Sequence, residues 1–61
     1  MMREKVYRVF GHDMRTGYRL DSVHVAYGEI GAVDKHAQTL LKLYSQFDAD
    51  YWIIDYIECQ D

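Results

Sequence analysis

Along this 61-residue chain, apolar positions first alternate, then recur at a helical period, then alternate again. Lys5-Val6-Tyr7-Arg8-Val9-Phe10 is rich in β-branched and aromatic side chains and predicts a first strand. Gly11 to Gly17 predicts a hairpin loop, in which Asp13 starts a type I turn and Gly17, four residues on, closes it at positive φ. Tyr18 to Tyr27 predicts the returning strand. Leu20 points one way there and Val23, Val25 and Tyr27 the other, which places a bulge near Asp21-Ser22. From Ile30 the period changes: Ile30, Val33, Ala37, Leu40, Leu41, Tyr44 and Phe47 follow the spacing of one helical face, with Asp34, Gln38, Lys42 and Ser45 on the other. Asp48-Ala49-Asp50 ends that pattern, and Tyr51 to Cys59 predicts a closing strand.

Strand, strand, helix, strand predicts an α+β domain of ββαβ order over residues 1–61, a three-stranded antiparallel or mixed sheet with the helix on one face. One helix covers one face, so the other must be polar or be covered by something else. An unpaired charge under the helix costs several kcal/mol, on the order of the penalty for a buried ion, so the charge-free residue set of each strand is assigned to the helix side. That rule places Tyr7, Val9, Val23, Val25, Tyr27, Trp52, Ile54 and Tyr56 beneath the helix. Val6, Arg8, Phe10, Leu20, His24, Tyr51, Ile53, Asp55 and Ile57 are left on the outer face, with Arg8 and Asp55 able to pair across neighbouring strands. An aliphatic and aromatic patch around one ion pair reads as an interface centred on Val6, Arg8, Phe10, His24, Tyr51, Ile53, Asp55 and Ile57.

Composition strengthens that expectation. A chain this small buries only about 60% of the surface its unfolded form exposes and commonly needs disulfides, a metal or a partner. Cys59 is the single cysteine, which closes the intramolecular disulfide route and fits a reducing, cytoplasmic setting. The longest apolar run, Tyr51-Trp52-Ile53-Ile54, falls far short of the roughly 20 residues of a membrane span, so no membrane partner or signal peptide is expected. The net charge of −3 is uneven: residues 1–19 carry +3 and the remainder −6. Residues 43–61 hold Asp48, Asp50, Asp55, Glu58 and Asp61 without a lysine or arginine, an anionic stretch open to a basic partner or simply to water. Nucleic-acid binding is disfavoured by that balance, although Arg15 and Arg19 on the hairpin keep a small DNA-binding regulator among the alternatives.

Candidate chemistry is sparse. His12, His24 and His36 are twelve residues apart each, in a turn, a strand and a helix, without the short spacing of metal ligands, so no metal or other cofactor is expected. Cys59 lies near a chain end, where a reactive geometry is hard to hold. Gly28-Glu29-Ile30-Gly31 precedes a helix but lacks the third glycine or Lys-Ser/Thr of a phosphate cradle. No catalytic set emerges. Six tyrosines, stiff and amphipathic, favour protein recognition instead.

The succession of hairpin, amphipathic helix and closing strand within about sixty residues resembles small phage-encoded inhibitors of host machinery. The resemblance is one of layout, covers most of the chain and transfers no residue role. It implies stoichiometric inhibition of a larger host complex, such as restriction, CRISPR or another defence system, or transcription. The leading expectation is a non-enzymatic binding protein whose partners are a second copy of itself, as a homodimer, and a larger host protein complex. A homo-oligomer holding an anionic small molecule in a groove of Tyr51, His24 and Arg8 is the alternative from another class.

Overall fold

The computed structural model describes residues 2–60. The chain forms β1 (Lys5–Asp13), β2 (Arg19–Ala26), α1 (Glu29–Leu43), a single 3-10 turn (Ala49–Tyr51) and β3 (Trp52–Cys59). The strands make one antiparallel sheet in the order β2-β1-β3, and α1 packs over β1 and β2, giving the predicted ββαβ architecture.

The hairpin follows its turn chemistry. Gly17 takes a φ of 77°, and its N–H donates to the Asp13 carbonyl at 2.9 Å. Asp13 Oδ1 accepts the N–H of Arg15 at 2.7 Å, the side-chain turn that Asp favours. β1 runs beyond its predicted end through Gly11, His12 and Asp13, because β3 pairs with all three. His12 therefore lies in a strand rather than in the turn.

Register decides the faces, and it corrects two assignments. Opposed residues share a face. Tyr7 lies opposite His24 and Val9 opposite Ser22, so Leu20, Ser22, His24 and Ala26 face α1 while Val23 and Val25 face outward, the reverse of the expectation. The β1–β2 ladder is unbroken, without a bulge at Asp21-Ser22. The slip is in β3: Phe10 opposes Tyr56 and Gly11 opposes Ile54, leaving Asp55 as the extra residue. That insertion flips the alternation. Trp52 and Ile54 stay on the helix side as predicted, Ile57 joins them and packs against the core, and Tyr56 turns outward.

The buried cluster is small: Tyr7, Val9, Ala26 and Ala32, flanked by Ile54 and Ile57. On α1 the buried positions are Ala32, His36 and Leu40, an i, i+4, i+8 stripe. The predicted stripe lies roughly a quarter turn away around the helix, which leaves Ile30 89% exposed and Leu41 on the surface. His36 causes the difference: its imidazole is fully buried because it has hydrogen-bond partners on both sides.

Candidate functional site

The face of the sheet away from α1 is uncovered. Val6, Arg8, Phe10 and His12 of β1 run down its middle, with Asp21, Val23 and Val25 of β2 on one side and Ile53, Asp55, Tyr56 and Glu58 of β3 on the other. Val23 is 55% exposed and Tyr56 46%, and Val25 and Ile53 are also open to solvent. Phe10 and Tyr56 stack with ring centroids 5.5 Å apart.

Four of the charged or titratable groups on this face form two pairs within it, while Glu58 has no ion-pair partner among the described residues. Arg8 grips Asp21 in a fork, Nε donating to Oδ1 at 2.8 Å and Nη2 to Oδ2 at 2.5 Å. That hydrogen bonding holds the Asp21 carboxyl below its usual range and raises the Arg8 guanidinium. His12 Nδ1 donates to Asp55 at 2.9 Å. The expected Arg8–Asp55 pair is therefore absent. Register puts Glu58 opposite Arg8 and brings Asp55, bulged out beside Gly11, to His12, while Asp21 sits diagonally from Arg8 across the β1–β2 ladder.

Of the eight residues expected at an interface, Val6, Arg8, Phe10, Ile53 and Asp55 share the outer face. His24 and Ile57 do not, for the reasons of register and bulge given above. Tyr51 ends the 3-10 turn, with the Arg15 guanidinium 4.5 Å from its ring centroid. Arg8 and His24 lie on opposite sides of the sheet, so the predicted groove of Tyr51, His24 and Arg8 is not formed. Both arginines of that hairpin pair are exposed, but Arg15 is engaged by Asp13 and by the Gln46 carbonyl, whereas Arg19 has no side-chain hydrogen bond among the described residues.

Beneath the helix lies a polar chain that spacing does not reveal. Trp52 Nε1–H donates to His36 Nε2 at 3.2 Å, which leaves the proton of His36 on Nδ1, facing Ser22 Oγ at 2.6 Å. The Ser22 hydroxyl in turn donates to His24 Nε2 at 2.7 Å. Burial lowers the pKa of both imidazoles, helped by Lys35 at His24 and by His24 at His36. A serine between two histidines invites a nucleophile reading. His36 cannot serve as its base, because its Nε2 lone pair is occupied by Trp52 and its Nδ1 carries a proton; His24 Nε2 does accept the Ser22 proton, but among the described residues no third side chain bonds His24 Nδ1 to orient it as a base. The arrangement ties α1 to β2 and β3. Sequence reading missed it, because the contacts of His36 with Ser22 and Trp52 span fourteen and sixteen residues.

At the hairpin end Asp13 is buried and receives Arg15 Nη2 at 3.0 Å and the Tyr44 hydroxyl at 2.8 Å. Its carboxyl is held far below the usual range, chiefly by Arg15. Tyr44 stacks on Tyr18 at 4.0 Å. Cys59 is exposed at the end of β3. Among the described residues no helix is long and apolar enough to cross a membrane, and no three His, Cys, Asp or Glu side chains are grouped to hold a metal ion. Comparison with protein families, curated proteins and solved structures gives no match.

Proposed function

We propose that this chain is a non-enzymatic protein-binding module that acts by stoichiometric association through its outer sheet face. The supporting observation is a face with exposed Val23, Val25, Ile53 and Tyr56 around charges that already satisfy one another, Arg8 with Asp21 and His12 with Asp55. Covering the middle of such a face removes apolar area from water while Arg8 keeps Asp21 and His12 keeps Asp55, and exposed Glu58 stays toward water on the edge strand. The resemblance of its layout to small phage inhibitors supports a larger host defence or transcription complex as the target, with a second copy as the other partner.

The reading is tested with Val23→Arg and Ile53→Asp, both at exposed positions, by light scattering at tens of micromolar and by affinity capture from host lysate. The expected result is a parent protein that self-associates or retains a defined host complex, and variants that lose that association while melting like the parent. A strictly monomeric parent that captures nothing, or variants that associate as well as the parent, would overturn it.

A further inference from the structure

Both edges of the sheet are open to a fourth strand in principle, but they are treated differently. At β2 the helix lies alongside, and Lys35 reaches from α1 to the carbonyl of Val25, covering the edge as lysines commonly do. At β3 no such cover exists: among the described residues, no side chain bonds to the backbone of residues 53–59. The strand is eight residues long, and its residues from Tyr56 to Cys59 follow the bulge as a regular ladder against β1.

The space above that edge is apolar. Because α1 is seated by Ala32, His36 and Leu40 over β1 and β2, its flank of Val33 and Ala37 overhangs β3 instead of touching it closely. Val33, Ala37, Phe47, Trp52 and Ile54, with His36 at its floor beside Trp52, line a mainly apolar cleft of about 160 Å³ between helix and strand. An added strand would direct alternate side chains into that cleft.

Charge decides the occupant. Residues 43–61 carry five carboxylates and no lysine or arginine. Asp48 and Asp50 precede β3, and Glu58 is exposed near its end. A second copy adding its own β3 would set two acidic edges side by side, which like-charge repulsion disfavours. An incoming strand with basic side chains is attracted at both ends of the edge. We infer that β3 is a docking edge for an extended segment of a partner protein in which apolar and basic residues alternate, bound as a fourth strand beside β3 with its apolar side chains in the cleft under Val33 and Ala37. This site adjoins the outer face along Tyr56 and Glu58 but does not use Val23 or Val25 at that face's far side.

The test uses the full chain, a peptide of about ten residues alternating valine and lysine, and a second peptide of equal charge in which every other valine is proline, which removes strand N–H donors. At about 0.15 M salt the first peptide is expected to bind saturably, shifting the amide resonances of residues 54–59 and the fluorescence of Trp52. The proline peptide binds at least tenfold more weakly. Asp50→Lys combined with Glu58→Lys weakens the first peptide at least tenfold with the melting temperature held, while Val23→Arg leaves it unchanged, so failure here is distinguishable from failure of the outer-face reading. Equal binding of the two peptides, shifts centred on Val23 and Val25, or no saturable binding into the millimolar range would overturn the proposal.

Discussion

Gly11 is the position at which one added carbon has the most to disturb. A Cβ there would lie 2.5 Å from Trp52 Nε1, 2.7 Å from the Ile53 carbonyl oxygen and 2.8 Å from Trp52 Cε2. None of these can yield freely. The carbonyl is backbone of the paired strand, and the indole is held by its bond to His36. Gly11→Ala therefore forces overpacking, which costs about 1–3 kcal/mol, and displaces the partly buried Trp52–His36 hydrogen bond, worth about 1 kcal/mol. The sum, about 2–4 kcal/mol, is a large share of the roughly 3–9 kcal/mol that a domain of this length commands. At about 4–8 °C per kcal/mol the melting temperature should fall by at least about 8 °C. Trp52 is the only tryptophan, so its fluorescence follows the same site through the melt. In a Trp52→Phe background the penalty should shrink, because two of the three close contacts belong to the indole. A Gly11→Ala protein melting within about 2 °C of the parent would show that the Trp52 seat is not as tight as these distances require.

Two further outcomes follow from the same geometry. His24 and His36 are held below 6.5 in the folded state, chiefly by burial. As pH falls through that value the unfolded chain takes up protons first, so stability declines, by as much as about 1.4 kcal/mol per pH unit for each histidine. Urea midpoints compared at about pH 7.5 and 5.5 should therefore drop, and His36→Gln should flatten the dependence; a parent midpoint that does not move with pH contradicts a neutral buried His36. The glycines at 17 and 28 should behave oppositely. Gly17→Ala meets a φ of 77° and costs about 1–2 kcal/mol, whereas Gly28→Ser, at an extended N-cap without a side-chain cap, gains a few tenths of a kcal/mol; melting curves in the reverse order refute both assignments.

Local chemistry made the element order and the hairpin legible. Asp13 and Gly17 announce the turn because one side chain bonds the backbone two residues on and the other residue tolerates positive φ, and neither depends on distant contacts. Faces were less legible, because they depend on register. The rule that charge-free sets lie under the helix held for Tyr7, Val9, Trp52 and Ile54. It failed on β2, where it treated Val23 and Val25 as core and Leu20 and His24 as surface. Polar residues were admitted beneath the helix once Ser22 could bridge two imidazoles, a pairing fourteen residues apart that no local pattern encodes. Gly11 misled for a similar reason. A glycine beside a predicted loop reads as a turn residue, yet here it clears space for an indole from the far end of the chain.

The misplaced histidine and the bare surfaces are one fact. Had α1 buried Ile30, Val33, Ala37 and Leu41, its apolar stripe would have been consumed and β3 covered. Seating His36 between Trp52 and Ser22 instead turns that stripe away from the core. The same register that brings Ser22 and His24 inward sends Val23 and Val25 outward, enriching the outer face. The polar chain under the helix thus fixes which apolar residues the fold leaves unspent. His36→Leu offers a direct consequence: relieved of its polar partners, the helix loses the reason for its rotation, and the NMR shifts of Val33 and Ala37 should move toward a buried environment as the cleft beside β3 narrows. Unchanged Val33 and Ala37 methyl shifts in that variant would mean that backbone connections, rather than His36, set the helix orientation.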